Sequence, residues 1–296
     1  MRIALFGREP KTQNLPYIEV VVEKLFEEGA KLGVYSPLKD AVEQIKQEEL
    51  ENLKYLVYTN DEELKDFDPD FLISLGGDGT ILDATVLIQS KDIPVLGINM
   101  GRLGFLANVA KSTIETSLDA LFTGRFQLDF RTLLQVKTSC NKLLKPNFAL
   151  NEITIARKET TSMITVHTYL NGNYLNSYWA DGLIVATPTG STGYSLSCGG
   201  PIIMPNSDNF VLTPIAPHNL TMRPFVINDT NALRMQVESR ENEFLASLDS
   251  RIHSFTSDTE LLIQKADFRI ALVQTELQDF PSTMRNKLSW GRDYRN

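Results

Sequence analysis

The chain has 296 residues, of which 42% are hydrophobic and 22% charged, an ordinary composition for a globular protein. Its 29 basic and 37 acidic side chains give a formal net charge of −8, which argues against nucleic acid or an anionic membrane as the main partner. Two cysteines and three histidines fit neither a disulfide framework nor a metal motif, so we predict no dedicated protein metal site. No apolar stretch approaches the ~18 residues of a membrane-spanning helix. The short apolar run at the N-terminus is not typical of a signal peptide, and we expect a cytoplasmic protein.

The first 124 residues alternate apolar stretches, which predict strands, with amphipathic stretches, which predict helices. Continuous apolar strands in such an alternation are typical of a parallel sheet covered on both faces. The predicted strands are 3–6, 33–35, 53–58, 71–75 and 93–99, and the predicted helices are 15–28, 37–50 and 81–89. We interpret residues 1–124 as an α/β domain.

After residue 124 the pattern changes to short alternating segments, which favour antiparallel strands. The pair Asn171-Gly172 lies between two such segments, 163–170 and 174–179, and is a strong signal for a tight hairpin. Further predicted strands are 134–137, 210–212, 225–227, 233–237, 244–246 and 261–263. We predict a β-rich, sandwich-like domain over residues 125–270, followed by a C-terminal segment, 271–296, that packs back on the body.

Three glycines surround one carboxylate, Asp78, where the predicted strand 71–75 ends and a helix begins. Glycine lets a ligand approach the backbone, and the first N–H groups of a helix are unpaired, so this geometry suits phosphate. Because Asp78 would repel a phosphate, we interpret it as a base for a hydroxyl proton or as a group that works through a metal ion. The alternative is a structural turn in which Asp78 lies near the N-cap of the helix. The phosphate-binding candidates of this loop are Gly76, Gly77 and Thr80.

A second loop rich in glycine and hydroxyl groups follows a predicted strand that begins after Asp181. Hydroxyl and free N–H groups suit a ligand with phosphates and sugar hydroxyls, and the ring of Tyr194 can stack on a nucleobase. The alternative is a turn-rich loop in which Ser and Thr form the turns. Upstream, Asn151 and Glu152 precede another apolar stretch. An amide can pair with the edge of adenine and a carboxylate can bind two ribose hydroxyls, although such a pair is also common in solvated turns.

The chain lacks both the Walker A loop and the G-x-G-x-x-G dinucleotide fingerprint. A phosphoryl transferase without the P-loop lysine has to neutralise phosphate charge with Mg²⁺, backbone dipoles and arginines. Arg102, Arg223 and Arg251 are candidates for this role. The alternative for each of them is a surface charge.

Five segments together resemble the NAD kinase family, in the order in which that family carries them. They are residues 75–80, residues 97–106, the pair Asn151-Glu152, residues 181–194 with Gly199-Gly200-Pro201, and residues 217–224. The Gly-Gly-Asp-Gly element by itself is also similar to diacylglycerol kinase-like and phosphofructokinase-like enzymes. The resemblance therefore depends on the combination of segments.

This resemblance implies a kinase that uses ATP to phosphorylate the 2′-hydroxyl of the adenosine ribose of NAD, giving NADP and ADP. It implies an α/β domain and a β-rich domain that hold the substrate between them, with Asp78 as the general base. It also implies a divalent cation, chiefly Mg²⁺, with the nucleotide, and a homodimer or homotetramer. The residues to which it assigns NAD binding are Gly79, Phe105, Asn151, Glu152, Asp181, Thr189, Thr192, Gly193, Tyr194 and Ser197.

Three positions depart from the family pattern. Gly193 stands where many members carry Ala, which widens the pocket slightly. Residues 248–251 replace a usual Asp-Gly-Gln segment, so the role of Asp249 stays open. Trp179 lies two residues before Asp181 at a variable position, and the preference between NAD and NADH stays open with it.

Two other functions share part of this pattern. A lipid or sugar kinase would have the loop at residues 76–80 but would not need the polar groups around Asn151 and residues 181–194. A non-enzymatic dinucleotide sensor would keep those groups and could dispense with Asp78. The presence of Asp78 together with the polar groups around Asn151 and in residues 181–194 favours a dinucleotide kinase.

Overall fold

The computed structural model describes residues 1–48, 52–89, 91–101, 104–140, 144–159, 162–275 and 280–289. The chain folds as two compact units, the first made of Met1–Phe130 with Ile270–Asn296 and the second of Arg131–Arg269. Within the described ranges, no helix is long and apolar enough to cross a membrane. The domain boundaries inferred from sequence, at residues 124 and 270, stay predictions.

The first unit contains a parallel sheet with helices between its strands. Its elements in chain order are β1 (Arg2–Gly7), α1 (Leu15–Glu27), β2 (Lys31–Tyr35), α2 (Lys39–Glu48), β3 (Tyr55–Tyr58), α3 (Asp61–Phe67), β4 (Phe71–Gly76), α4 (Asp78–Ile88), β5 (Val95–Asn99) and α5 (Ile114–Phe122). The strands follow the order β5-β4-β1-β2-β3, and every pair among them is parallel. The predicted parallel α/β architecture is confirmed.

Helix α1 shows why this unit folds as the pattern predicts. Ile18, Val21, Val22 and Leu25 recur at helical spacing, and all four are buried in one hydrophobic core with residues of β1 and β4. The strands contribute continuous apolar stretches because helices cover the sheet.

Two short helices, α3 and α5, were not predicted, and one predicted helix begins earlier than expected. Helix α3 has seven residues and a single buried apolar side chain, Leu64, too few for a periodic signal. It begins at a cap instead, because Asn60 Oδ1 accepts the N–H of Glu63 at 2.9 Å. The helix predicted at 81–89 begins at Asp78, since Gly77 is its N-cap.

Other boundaries differ by a few residues. The strand predicted at 93–99 begins at Val95, after Pro94, which has no N–H to donate to the sheet. The helix predicted at 37–50 begins at Lys39 after a short 3₁₀ turn, and its predicted last residues lie outside the described ranges.

The second unit is built from two antiparallel sheets. Its strands are β6 (Gln127–Thr138), β7 (Phe148–Ala149), β8 (Glu152–Arg157), β9 (Ile164–Leu170), β10 (Asn173–Ala180), β11 (Gly182–Ala186), β12 (Asn209–Ile215), β13 (Phe225–Asn228), β14 (Leu233–Glu238), β15 (Glu243–Leu248), β16 (Arg251–Thr256) and β17 (Leu261–Gln274), and a short helix, α6 (Tyr194–Ser197), follows β11. One sheet contains β10-β9-β14-β17 and the other β13-β12-β11-β8-β15-β16. Alternate side chains of both sheets meet in one core, so the predicted sandwich-like β-rich architecture is confirmed.

The predicted hairpin is present between β9 and β10. Asn171 and Gly172 both have positive φ, 49° and 85°, as a type I′ turn requires. Leu170 and Asn173 are the first paired residues on either side.

The C-terminal part of the chain returns to the first unit. The last part of β17 pairs with β5 in parallel, with Leu272 opposite Val95. Helix α7 (Phe280–Leu288) follows and buries Met284. Of the tail side chains that were expected to pack, Trp290 and Tyr294 lie outside the described residues.

Candidate active site

The two glycine-containing segments of the first unit meet at one edge of its sheet. Strands β4 and β5 are parallel neighbours with Gly76 opposite Asn99, so their carboxyl ends lie side by side. The N–H of Met100 donates to Gly76 O at 3.2 Å. The chain then folds back, and Val109 N–H donates to Gly97 O at 3.0 Å. Ligands of such sheets bind at this edge.

The carboxylate of Asp78 holds the segment that follows β5. It accepts three successive backbone N–H groups, from Phe105 to Oδ2 at 2.8 Å and from Leu106 and Ala107 to Oδ1 at 3.0 and 3.1 Å. Asp78 is the first residue of α4, directly after the N-cap Gly77, so it lies near the cap as the alternative interpretation expected but is not itself the capping residue. About four lone-pair sites are available on a carboxylate, and the side chain of Asp78 is 28% exposed. Asp78 therefore anchors the Phe105–Ala107 segment, which we call the anchored segment, and still reaches solvent.

The glycines of this region fall into two groups. A Cβ on Gly104 would overlap with Asp78 Oδ1, and a Cβ on Gly76 would overlap with the buried Thr80 hydroxyl, so both positions require glycine. A Cβ on Gly77 or Gly79 would meet nothing within 4 Å. The N-terminus of α4 is therefore open on the side of Gly77 and Gly79, where its unpaired N–H groups suit an anion.

Helix α7 adds residues that the sequence analysis did not single out. Lys287 Nζ lies 3.3 Å from Asp78 Oδ2 and 3.9 Å from the centre of the Phe105 ring. The ring of Phe280 lies 6.3 Å from the ring of Phe105. No local motif marks these residues, because α7 is a short polar helix near the other end of the sequence.

In the second unit, Asn151 and Glu152 lie at the start of β8 and are held by a second carboxylate. Asp249 accepts the N–H of Leu150 at Oδ2, 3.0 Å, and those of Asn151 and Glu152 at Oδ1, 2.8 and 3.2 Å. The Asp249 side chain is only 3% exposed, and its backbone has a left-handed φ of 53° in the turn between β15 and β16. The position left open in the sequence is thus the anchor of the Asn151-Glu152 pair.

Arg251 is bound to the same region. Its Nη1 donates to Pro146 O at 2.9 Å, its Nη2 donates to Phe148 O, and Nη2 lies 3.8 Å from Asp249 Oδ2. These contacts stabilise the strand before the Asn151-Glu152 pair. They give Arg251 a structural role beside its proposed role in phosphate binding.

The carboxyl group of Glu152 has a raised pKa. Burial, together with the negative charge of Asp249, raises the pKa of Glu152 to about 8, against a hydrogen bond from the Tyr194 N–H that lowers it. Its Oε2 atom is buried and has no hydrogen-bond partner among the described residues. A carboxylate oxygen that lacks a hydrogen-bond partner in the free protein is suited to accept a hydrogen bond from a ligand hydroxyl.

Two residues of the second loop adjoin Glu152. A Cβ on Gly193 would lie 3.2 Å from Glu152 Oε2 and 3.7 Å from Asn151 Nδ2, so glycine leaves space beside both groups. The side chain of Tyr194, at the start of α6, is about half exposed. We call Asn151, Glu152, Gly193 and Tyr194 the Glu152 cluster.

Several threonine hydroxyl groups of the second loop already have hydrogen-bond partners within the protein. Thr187 Oγ1 donates to Leu150 O at 2.6 Å, and Thr192 Oγ1 donates to Thr189 O at 3.1 Å. Thr189 is buried, and its Oγ1 accepts from Arg131 Nη1 at 3.1 Å. Ser197 is exposed at the end of α6.

The other predicted site residues that the structure describes have partners of their own. Asp181 Oδ2 lies 3.0 Å from Arg157 Nη2. Trp179 is half exposed and packs on His218 with ring centres 4.0 Å apart. Arg223 is exposed, and its Nη1 donates to two backbone carbonyls at 2.7 Å. Arg102 lies outside the described residues.

Among the residues that the structure describes, no group of three or more His, Cys, Asp or Glu side chains is placed to hold a metal ion. The carboxylates of Asp78 and Asp249 are each bound by three N–H groups.

The family models that match this chain and the related proteins are all described as NAD kinases. Residues 3–126 match a model described as the ATP-NAD kinase N-terminal domain, and residues 150–275 match one described as the ATP-NAD kinase C-terminal domain. The NAD kinase of Flavobacterium psychrophilum is 47% identical over 300 residues, and that of Cytophaga hutchinsonii is 42% identical over 296 residues, each covering 100% of both chains.

Two solved structures are similar over almost the whole chain. The yeast NADH kinase complexed with NADH has a TM-score of 0.86 at 25% identity, covering 100% of this chain and 89% of that chain. An NAD kinase from Archaeoglobus fulgidus in complex with ATP has a TM-score of 0.74 at 26% identity, covering 98% of each chain.

Gly104→Ala should release the anchored segment, because the added methyl group takes the place of Asp78 Oδ1. We expect the amides of residues 105–107 to exchange with solvent at least about tenfold faster, since each lost hydrogen bond to a charged group is worth roughly 1.5–3 kcal/mol. Hydrogen exchange resolved by residue measures this. Gly101→Ala is the matched control, because its Cβ would meet nothing within 4 Å. Equal exchange in the two variants would contradict the anchoring role.

Proposed function

This chain belongs to the NAD kinase family, and we propose that it transfers the γ-phosphoryl group of ATP to the 2′-hydroxyl of the adenosine ribose of NAD. As a member of this family it is a phosphotransferase. The products of the proposed reaction are NADP and ADP. The observation that supports the substrate most directly is the unpartnered Oε2 of Glu152 within the Glu152 cluster.

The Glu152 cluster offers the groups that an adenosine requires. The carboxylate of Glu152 can accept two ribose hydroxyls, the amide of Asn151 can pair with the edge of adenine, and the exposed ring of Tyr194 can stack on a base. Gly193 leaves the space beside the carboxylate and the amide. We propose that Asp181, which is paired with Arg157, contacts the nicotinamide half of NAD, and that Thr192 and Ser197 line the adenine side of the pocket with Tyr194. Thr189 is a further proposed NAD-binding residue.

The first unit supplies the groups of the chemical step. Asp78 takes the proton of the 2′-hydroxyl while that oxygen bonds to the γ-phosphorus of ATP and the bond from phosphorus to the ADP oxygen breaks. Three N–H groups fix the orientation of the Asp78 carboxylate. The phosphate is proposed to bind at the open N-terminus of α4 beside Gly77, with Gly79 against the substrate. Gly76 and Thr80, which pack against each other, stay predicted phosphate contacts. Phe105 packs beside NAD.

The divalent cation of this reaction is proposed to arrive with ATP. The described residues offer no cluster of acidic ligands, whereas phosphate oxygens and water supply the octahedral oxygen ligands that Mg²⁺ prefers. When bound, the cation would neutralise part of the negative charge on the phosphates. Arg102, Arg223 and Arg251 stay candidates for additional phosphate contacts, and homodimer or homotetramer formation and a cytoplasmic location stay predictions.

NADH is the second candidate substrate, because a structural relative with a TM-score of 0.86 is an NADH kinase. The nicotinamide ring is planar and cationic in NAD and uncharged in NADH. We propose that Trp179, which already packs on His218, contacts this end of the dinucleotide. This contact is where the two substrates would be distinguished.

The activity is tested by incubating the protein with ATP and Mg²⁺ and either NAD or NADH. NADP is then measured with an NADP-specific dehydrogenase, and NADPH by its fluorescence after NADH is removed. We expect phosphorylation of NAD, and the ratio of the two rates gives the preference. An absence of both products, under conditions in which calorimetry shows that NAD binds, would exclude the proposed reaction.

Asp78→Asn should lower turnover by roughly 10²–10⁴-fold, the usual contribution of a general base, with little change in NAD affinity. Turnover is measured from NADP formation and affinity by calorimetry. Asp83→Asn is the matched control, because Asp83 lies on the same helix and pairs with Arg8. An Asp78→Asn variant within a few-fold of wild type would mean that Asp78 only anchors the segment.

NAD binding should release a proton, because hydroxyl donors favour the charged form of Glu152, whose pKa is about 8 in the free protein. At pH 7 the release approaches about 0.9 proton, and affinity rises by up to about tenfold per pH unit until pH 8 and then levels off. Calorimetry in buffers of different ionisation enthalpy measures the proton count.

Two variants accompany this measurement. Glu152→Gln should abolish the proton release, and Glu243→Gln, which changes an exposed glutamate paired with Lys158, should retain it. A wild-type protein that binds NAD with no proton release would show that Glu152 does not accept the ribose hydroxyls.

A further inference from the structure

The proposed reaction needs a cation close to the transferred phosphoryl group, and the predicted arginines that the structure describes already have other partners. The chain has no P-loop lysine. Arg223 and Arg251 donate to backbone carbonyls, and Arg102 lies outside the described residues. A transferring phosphoryl group carries negative charge that positive side chains stabilise.

Lys287 brings an ammonium group to the base itself. Its Nζ lies 3.3 Å from Asp78 Oδ2 and over the face of the Phe105 ring, 3.9 Å from the ring centre. The side chain is 26% exposed. Helix α7 is fixed in the first unit by buried Met284 and by the contact of Phe280 with Phe105. The position of Lys287 is therefore set by packing as well as by the ion pair.

The contact with Asp78 is loose enough for Lys287 to accept another partner. A charge-assisted N–H···O bond is usually about 2.7–2.9 Å, which is shorter than the 3.3 Å observed. Asp78 already accepts three backbone N–H groups and does not depend on Lys287 for its partners. An ammonium group with three rotatable donors on a flexible stem can turn from a carboxylate to a phosphate nearby.

We propose that Lys287 binds the γ-phosphoryl group of the nucleoside triphosphate and stabilises its charge during transfer. The inference rests on the proposed function, in which Asp78 receives the proton of the attacking hydroxyl. A group within 3.3 Å of that carboxylate is within reach of the phosphorus that the same hydroxyl oxygen attacks. Lys287 would supply the charge that the P-loop lysine supplies in other phosphoryl transferases.

Two substitutions separate the charge of Lys287 from its packing on Phe105. Lys287→Met keeps the length and the apolar contact but removes the charge, whereas Lys287→Arg keeps the charge. Arg285→Met is the matched control, because Arg285 is exposed on the same helix and loses the same charge.

In Lys287→Met we expect kcat to fall by about 10²-fold, the scale of one lost electrostatic contact to a transition state. The dissociation constant for ATP should rise more than that for ADP, because only ATP carries the γ-phosphate. NAD affinity should not change. Lys287→Arg should stay within about tenfold of wild type, and Arg285→Met should match wild type. Steady-state kinetics and calorimetry with ATP, ADP and NAD supply these numbers.

The possible failures are distinguishable. If the wild-type protein forms neither NADP nor NADPH, the proposed function fails. If it forms NADP and Lys287→Met is within threefold of it, only the role of Lys287 is overturned. An equal fall in kcat in Lys287→Met and Lys287→Arg would also overturn the role of Lys287. So would an equal loss of ATP and ADP affinity in Lys287→Met. A fall in activity together with faster amide exchange at residues 105–107 would assign Lys287 to packing instead.

Discussion

Both units of the protein depend on one interaction, a carboxylate that accepts three successive backbone N–H groups. Asp78 binds the anchored segment in this way, and Asp249 binds residues 150–152. Neither segment has these N–H groups paired in a sheet or helix, and buried N–H groups without partners are costly. Each charged acceptor contributes more than a neutral one would. Phe105 and the pair Asn151-Glu152, which are among the residues proposed to bind NAD, lie on these two segments.

The two anchors have opposite electrostatic surroundings. Asp249 is almost fully buried and faces another carboxyl group, so burial raises its own pKa and its charge raises the pKa of Glu152. Asp78 is partly exposed and faces the ammonium group of Lys287. Asp249 therefore favours the protonated form of Glu152, and a ligand rich in hydroxyl groups favours release of that proton. Asp78 keeps positive charge close to where phosphate is proposed to react.

Sequence patterns predicted those parts that depend on local periodicity or on a special turn. Helix α1 and the Asn171-Gly172 hairpin are examples, whereas α3 depends on a cap and a single buried leucine and was missed. Asp78 and the Asn151-Glu152 pair were recognisable because their neighbours form motifs. The anchoring role of Asp249 was not recognisable, because its partners lie 97 to 99 residues away in sequence. The position of Lys287 was not recognisable either, because Asp78 lies 209 residues away. The partners of the Thr187 and Thr189 hydroxyls, Leu150 O and Arg131, are likewise distant in sequence.

The first unit is made of two parts of the chain that are separated by the second unit, so these two parts are synthesised at different times. The ribosome completes residues 1–130, with Asp78 and its anchored segment, before the second unit, and α7 follows only after the second unit. Folding of the first unit is therefore finished only after the second unit has been made. A chain released early, or trimmed by a protease before residue 280, would retain the carboxylate and the glycine turn without the lysine that faces them.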